Sequence, residues 1–162
     1  MALLIFVAQA HATEGVLTEV SPLSVRASVD GSSNSRVIEQ KIVDSVYAAL
    51  RAARIPTSDP KAADNESSPY LHYELTIRRM ADGGMLYMMS FTLKVKASNP
   101  YNKTSINGIL ASSSHVNIAK TTAEMTEDLN QVVGQTTEKF LLAWRAQNPL
   151  PNAFKLPDLP TD

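Results

Sequence analysis

The stretch from Tyr70 to Ala97 constrains this chain more than any other. Its apolar residues share one parity: Leu71, Tyr73, Leu75 and Ile77, then Met85, Tyr87, Met89, Phe91, Leu93 and Val95. Alternation with a period of two over such a length is the pattern of a strand pair with one buried face. Opposed residues in a hairpin point the same way, so the register is open to arithmetic. A loop of Asp82-Gly83-Gly84 sets Ala81 against Met85, Ile77 against Met89, Leu75 against Phe91 and Leu71 against Val95, which brings both apolar sets onto one face. A tighter Asp82-Gly83 turn pairs odd with even positions and sends one apolar set to solvent unless a bulge intervenes.

Upstream, Leu23, Val25, Ala27 and Val29 alternate with Ser24, Arg26, Ser28 and Asp30, which predicts a half-buried strand over 22–29. The cluster Asp30-Gly31-Ser32-Ser33-Asn34-Ser35 can turn the chain and supply a helix N-cap. From Ser35 to Arg54 the period changes. Ile38, Ile42, Val46, Ala49, Leu50 and Ala53 form one helical stripe, and Glu39, Gln40, Lys41, Asp44, Ser45 and Arg51 lie on the other side. Pro56 stops this helix, and the polar residues 56–69 read as a mobile loop.

Downstream of the hairpin, a turn over 98–103 leads to a strand near 104–113. Its register is open, because Ile106 and Leu110 share one parity and Ile109 and Ala111 the other. Ser112-Ser113-Ser114-His115 reads as the strand's end and the loop beyond it. Thr121 and Glu124 have capping-box spacing and open the longest helix, which runs to about Gln147 with the stripe Met125, Leu129, Val132, Val133, Thr136, Phe140, Ala143 and Trp144. The order strand, helix, strand, strand, strand, helix predicts an α+β fold: a two-layer sandwich with a mostly antiparallel sheet and both helices on one face.

One domain is expected over residues 13–149. Before it, Ala2 to Ala8 is a compact apolar run, and Ala10-His11-Ala12 has the small-x-small form of a signal-peptidase site. Residues 1–12 therefore read as a signal peptide that lacks a basic n-region, with a periplasmic or secreted product. The run is far short of the ~20 apolar residues of a membrane span, so no integral span is expected. After the domain, Pro151, Pro157 and Pro160 predict an extended or disordered tail over 150–162.

Charged residues make up 19% of the chain and the net charge is −1, which leaves no broad field for nucleic acid. The absence of cysteine removes disulfides, thiolate nucleophiles and Cys-ligated zinc. No phosphate loop, dinucleotide fingerprint, nucleophile elbow or paired-histidine zinc motif occurs. His72 has the outward parity of its strand and His115 falls in a predicted loop, neither beside a carboxylate pair at ligand spacing. No catalytic residue, metal ligand or cofactor is therefore expected. What remains is the methionine cluster at the hairpin tip. Met85 and Met89 belong to the core face, whereas Met80, Leu86 and Met88 have the opposite parity and are expected outside, beside Tyr70 and His72. Those five residues are the candidate partner-binding set.

Val25-Arg26-Ala27-Ser28-Val29 ahead of the first helix, Leu50-Arg51-Ala52-Ala53-Arg54-Ile55-Pro56 at its close, and Phe140 to Pro149 at the end of the second helix carry a resemblance. Over about residues 22–149 the chain resembles a group of small exported bacterial α+β proteins. In architecture it is similar to the N-terminal domain of the translocation protein TolB and to LptE-like envelope assembly proteins. The resemblance implies a binding or assembly module with a protein partner in the cell envelope. The acylated cysteine of the lipoproteins is absent, and no functional residue carries over. The function expected is a non-catalytic interaction module that meets its partner through an exposed sheet face or edge. The alternative is a carrier of a small apolar ligand held between helices and sheet.

Overall fold

A computed structural model describes residue 17 and residues 22–58, 69–98 and 105–149. The elements follow as β1 (Ser24–Asp30), α1 (Ser35–Ala52), β2 (Tyr70–Arg79), β3 (Met85–Ser98), β4 (Ser105–Ala119) and α2 (Thr122–Gln147). The expected signal peptide, residues 59–68 of the expected loop, residues 99–104 and the tail over 150–162 lie outside the described residues.

The strands form one mixed sheet in the order β1-β2-β3-β4. α1 carries the chain back across the sheet, so β1 runs parallel to β2, and the other two pairs are antiparallel. The two-layer α+β architecture is the one expected. Every inward residue of the hairpin from Leu71 to Ile77 and from Met85 to Leu93 is buried. α1 covers β1, α2 covers β3 and β4, and the helices touch each other. Burying each of these large side chains contributes about 1.5–3 kcal/mol. Two tyrosines tie the layers through hydrogen bonds: the Tyr73 hydroxyl to the Thr137 hydroxyl at 2.9 Å, and the Tyr47 hydroxyl accepting from the Val25 N–H at 3.1 Å. Tyr47 stands outside the expected stripe, yet its ring is 4% exposed. A tyrosine can bury its ring while its hydroxyl reaches a polar strand edge.

The hairpin keeps the expected parity but not the expected register. Ile77 faces Tyr87, Leu75 faces Met89, Tyr73 faces Phe91 and Leu71 faces Leu93. The loop is Ala81-Asp82-Gly83, closed by Met80 N–H to Gly84 O at 2.8 Å and Gly83 N–H to Met80 O at 3.0 Å. Gly83, at φ +86°, takes the left-handed position that ends a three-residue loop of this kind. Asp82 Oδ1 accepts the Gly84 N–H at 3.0 Å. Moving the loop by one residue shifts every pair by two, so the apolar faces survive the change.

β4 is longer than expected and absorbs residues 112–119. Its mixed parity has one cause: Leu93 pairs with Ala111 but Lys94 pairs with Ile109, which leaves Leu110 as an extra residue in a β-bulge. Ile106 and Gly108 oppose inward positions of β3 before the bulge, and Ala111, Ser113, His115, Asn117 and Ala119 oppose them after it.

Helix ends also differ from expectation. α1 stops at Ala52, ahead of Pro56, in a Schellman motif: Arg54 N–H bonds Arg51 O at 2.9 Å, Ile55 N–H bonds Leu50 O at 3.0 Å, and Arg54 adopts φ +59°. Asn34 occupies its N-cap without a side-chain capping bond. At α2 the capping residues act as expected. Thr121 Oγ1 accepts from Glu124 N–H at 3.1 Å, while the Glu124 carboxylate reaches back to Lys120 N–H at 2.8 Å. Thr137, outside the expected α2 stripe, is buried, whereas Thr136 and Ala143 of that stripe are half-buried and exposed. Leu17, in a region of weak signal, is buried beside the end of α2, where Gln147 and Asn148 bond its backbone.

Candidate functional site

The two edges of the sheet are finished differently. Along β1, Val25 N–H is taken by Tyr47, Val29 N–H donates to Glu39 Oε1 at 2.9 Å, and Leu23 exchanges backbone bonds with Pro56 and Ser58. α1 and the segment after it thus occupy that edge.

β4 forms the other edge. The bond from Met80 N–H to Gly84 O fixes which residues face which neighbour, because backbone groups alternate sides along a strand. Even positions of β3 bond β2 and odd positions bond β4. Ala111, Ser113, His115, Asn117 and Ala119, opposite those odd positions, are used within the sheet. Ser112, Ser114, Val116 and Ile118 therefore turn their N–H and C=O groups outward along the edge. The Ile118 N–H is taken by the neighbouring Asn117 side chain at 2.9 Å. No described group takes the N–H of Ser112, Ser114 or Val116. From Ser105 to Ala119 there is no Asp, Glu, Lys, Arg or Pro, the residues that usually guard an open edge.

Side chains beside that edge are apolar. On the solvent face Leu86 stands opposite Ile118 and Met88 opposite Val116. Their exposures are 39%, 55%, 47% and 52% respectively. Leu86 and Met88 of the candidate set are here. Val116 and Ile118 are the members that the sequence reading missed, since it ended β4 at about 113. Continuing the period of two past His115 was the signal that could have found them.

The rest of the candidate set is not brought together with these. Met80 sits half-buried opposite Gly84 at the hairpin end. Tyr70 and His72 pair with Lys94 and Thr92. His72 is four residues from Thr76, the partner of Met88, or about 14 Å along the strand at ~3.4 Å per residue. Their surroundings are cationic. The Tyr70 ring lies between the Arg26 guanidinium at 4.5 Å and the Lys94 ammonium at 5.7 Å from its centroid. Lys94 Nζ donates to His72 Nδ1 at 3.1 Å, nearer than the Glu74 carboxylate at 3.9 Å, so Nδ1 is the unprotonated nitrogen. Burial and the Lys94 charge lower the His72 pKa against the opposing pull of Glu74, and Arg26 adds to the lowering.

A second polar group lies on the helix side of the sheet. His115 is in β4, not in a loop, and points inward, where Asp128 of α2 meets it at 2.8 Å between Nε2 and Oδ2. The Tyr87 hydroxyl donates to the same Oδ2. Burial pushes the Asp128 carboxyl upward, but hydrogen bonds from Tyr87, His115 and Asn117 outweigh it and hold the group below its ordinary value. Burial and the adjacent carboxylate raise the Tyr87 pKa. An ionised carboxylate only accepts, so Nε2 of His115 is the donor in this bond. Such a pair orients an imidazole for general-base work. No described hydroxyl is bonded to Nδ1, however, and the arrangement serves to tie α2 to β3 and β4.

Among the described residues, no three His, Asp or Glu side chains are grouped to hold a metal ion, and no helix is long and apolar enough to cross a membrane. No protein-family model, curated protein or solved structure matches this chain.

Proposed function

We propose that this chain is a non-catalytic interaction module that takes up an extended segment of a protein partner along the free edge of β4. The contrast between the two edges carries the reading: on β1 the Val25 and Val29 N–H groups are taken by Tyr47 and Glu39 of α1, while β4 presents those of Ser112, Ser114 and Val116 with no charge along the strand. Added strands draw affinity from such main-chain bonds and specificity from side chains on alternate positions. Leu86, Met88, Val116 and Ile118 would receive apolar side chains of the segment on the solvent face. A partner in the cell envelope is part of this proposal, and it rests on the leader-like apolar run from Ala2 to Ala8 with the small-x-small residues after it.

Photo-crosslinking from positions 112 and 114 in an envelope fraction tests it. The expected result is adducts that map to one extended segment of one protein, with those from position 112 lost in Ser114→Pro. That substitution deletes an outward N–H and leaves the β3–β4 bonds in place. Adducts from Glu138 on the exposed side of α2 as strong as those from β4, or none at all, would count against it.

A further inference from the structure

The layer of side chains between the two helices is open at one end of the sheet. β1 ends at Asp30 and β4 at Ala119, both beside the hairpin tip, so α1 and α2 start at the same end. Their first turns stand apart over Ile77 and Met85 and leave a groove of about 490 Å³. That volume falls within the range of about 300–1,000 Å³ typical of small-molecule sites. Its walls are apolar where they meet the sheet, at Ile42 of α1 and Leu129 of α2. Its rim carries two cations, Lys41 and Arg79, and no carboxylate lines it. Neither cation belongs to an ion pair among the described residues. A dry floor beneath two unpaired positive charges, in a chain whose net charge is −1, is complementary to a molecule with an apolar body and an anionic end.

We propose that this groove binds a long-chain carboxylate, with its alkyl chain on Ile77 and Met85 and its head group held by Lys41 and Arg79. The site is distinct from the β4 edge and independent of strand addition there.

The test uses the full chain with labelled Ile, Leu and Met methyl groups, titrated with dodecanoate below its micelle concentration and, separately, with dodecanol. The expected result is saturable shifts at Ile42, Ile77 and Met85, and at least tenfold tighter binding of dodecanoate. Lys41→Glu with Arg79→Glu, both exposed, should abolish that preference. Thr126→Trp, at an exposed lining position, should weaken both ligands at least tenfold. Equal affinity for the two ligands would reduce the site to a bare apolar cleft and overturn the proposal. So would shifts confined to Met88, or binding to phosphatidylglycerol vesicles without binding to free dodecanoate. Contacts from Leu3, Leu4 or Ile5 methyl groups to Ile42 in the unliganded chain would show the groove filled by the chain's own apolar run, and would overturn it equally.

Discussion

Met88 stands directly across from Val116 on the solvent side of β3 and β4, with 47% and 52% of their surfaces exposed. Neither side chain supports the core, so Val116→Lys should change stability by less than about 0.5 kcal/mol in urea denaturation. The same substitution should remove crosslinking from position 114. Met89, one residue on from Met88 and 2% exposed, provides the contrast: Met89→Lys should leave no cooperative unfolding transition.

Asp128 accepts from Tyr87 and His115 together, so its loss leaves two donors without their acceptor. Asp128→Ala should cost about 1–3 kcal/mol at pH 7. The carboxyl ionises below its ordinary 3.8 in the folded chain, so the unfolded chain takes up the proton first on acidification. The stabilisation is complete above that ordinary value and is lost as pH falls through the folded one. The gap between wild type and variant in urea titrations should therefore be full at pH 7 and narrow progressively as the pH is taken below 3.8.

His72 should titrate below 6.5 in a proton-resonance titration of the folded chain. Its lowered pKa means that between the folded value and 6.5 the unfolded chain binds more protons, so stability falls with acidification across that window. Lys94→Met removes the nearest cation and should move the midpoint upward. An unmoved midpoint would mean that Lys94 does not set it.

Arg54 ends α1 in the left-handed region at φ +59°, a conformation that costs a residue with a Cβ roughly 1–2 kcal/mol. Arg54→Gly relieves that strain and loses some of the gain to chain entropy. The melting temperature should rise by about 2–4 °C, the shift that 1 kcal/mol produces in a domain of this size.

Gly31 presents the opposite case. It lies at φ +86°, and a Cβ there would come 1.9 Å from the Ile77 carbonyl oxygen. Gly31→Ala should destabilise by more than about 1 kcal/mol, measured by thermal unfolding. Gly83→Ala shares the φ but meets no atom within 4 Å, so its cost should be the smaller of the two.

Much of the fold was legible because a period of two or 3.6 is a local property. Leu75 and Phe91 share a face by parity alone, and Ile42, Val46 and Leu50 share a side of α1 whatever they pack against. The hairpin register was not legible to the residue, since Gly83 and Gly84 can both accept unusual backbone angles and only one of them does. Leu110 hid β4 for a similar reason: a bulge reverses parity in mid-strand, and a sum over the whole segment cancels. Of the candidate site, Leu86 and Met88 followed from parity, whereas Val116 and Ile118 required the true end of β4.

The order of amino acids by itself determined which side chains of the hairpin are dry, where helices alternate with strands, and that the hairpin has one apolar face, because neighbours within a few residues set each of these. Only the tertiary structure decided that the Val25 and Val29 N–H groups at the β1 edge are taken by Tyr47 and Glu39 while those of Ser112, Ser114 and Val116 at the β4 edge meet no described acceptor, and that Asp128 reaches His115 across the layers. Those relationships join residues far apart in the chain, and they exist only once the packing of both helices on the sheet has fixed the distances between them.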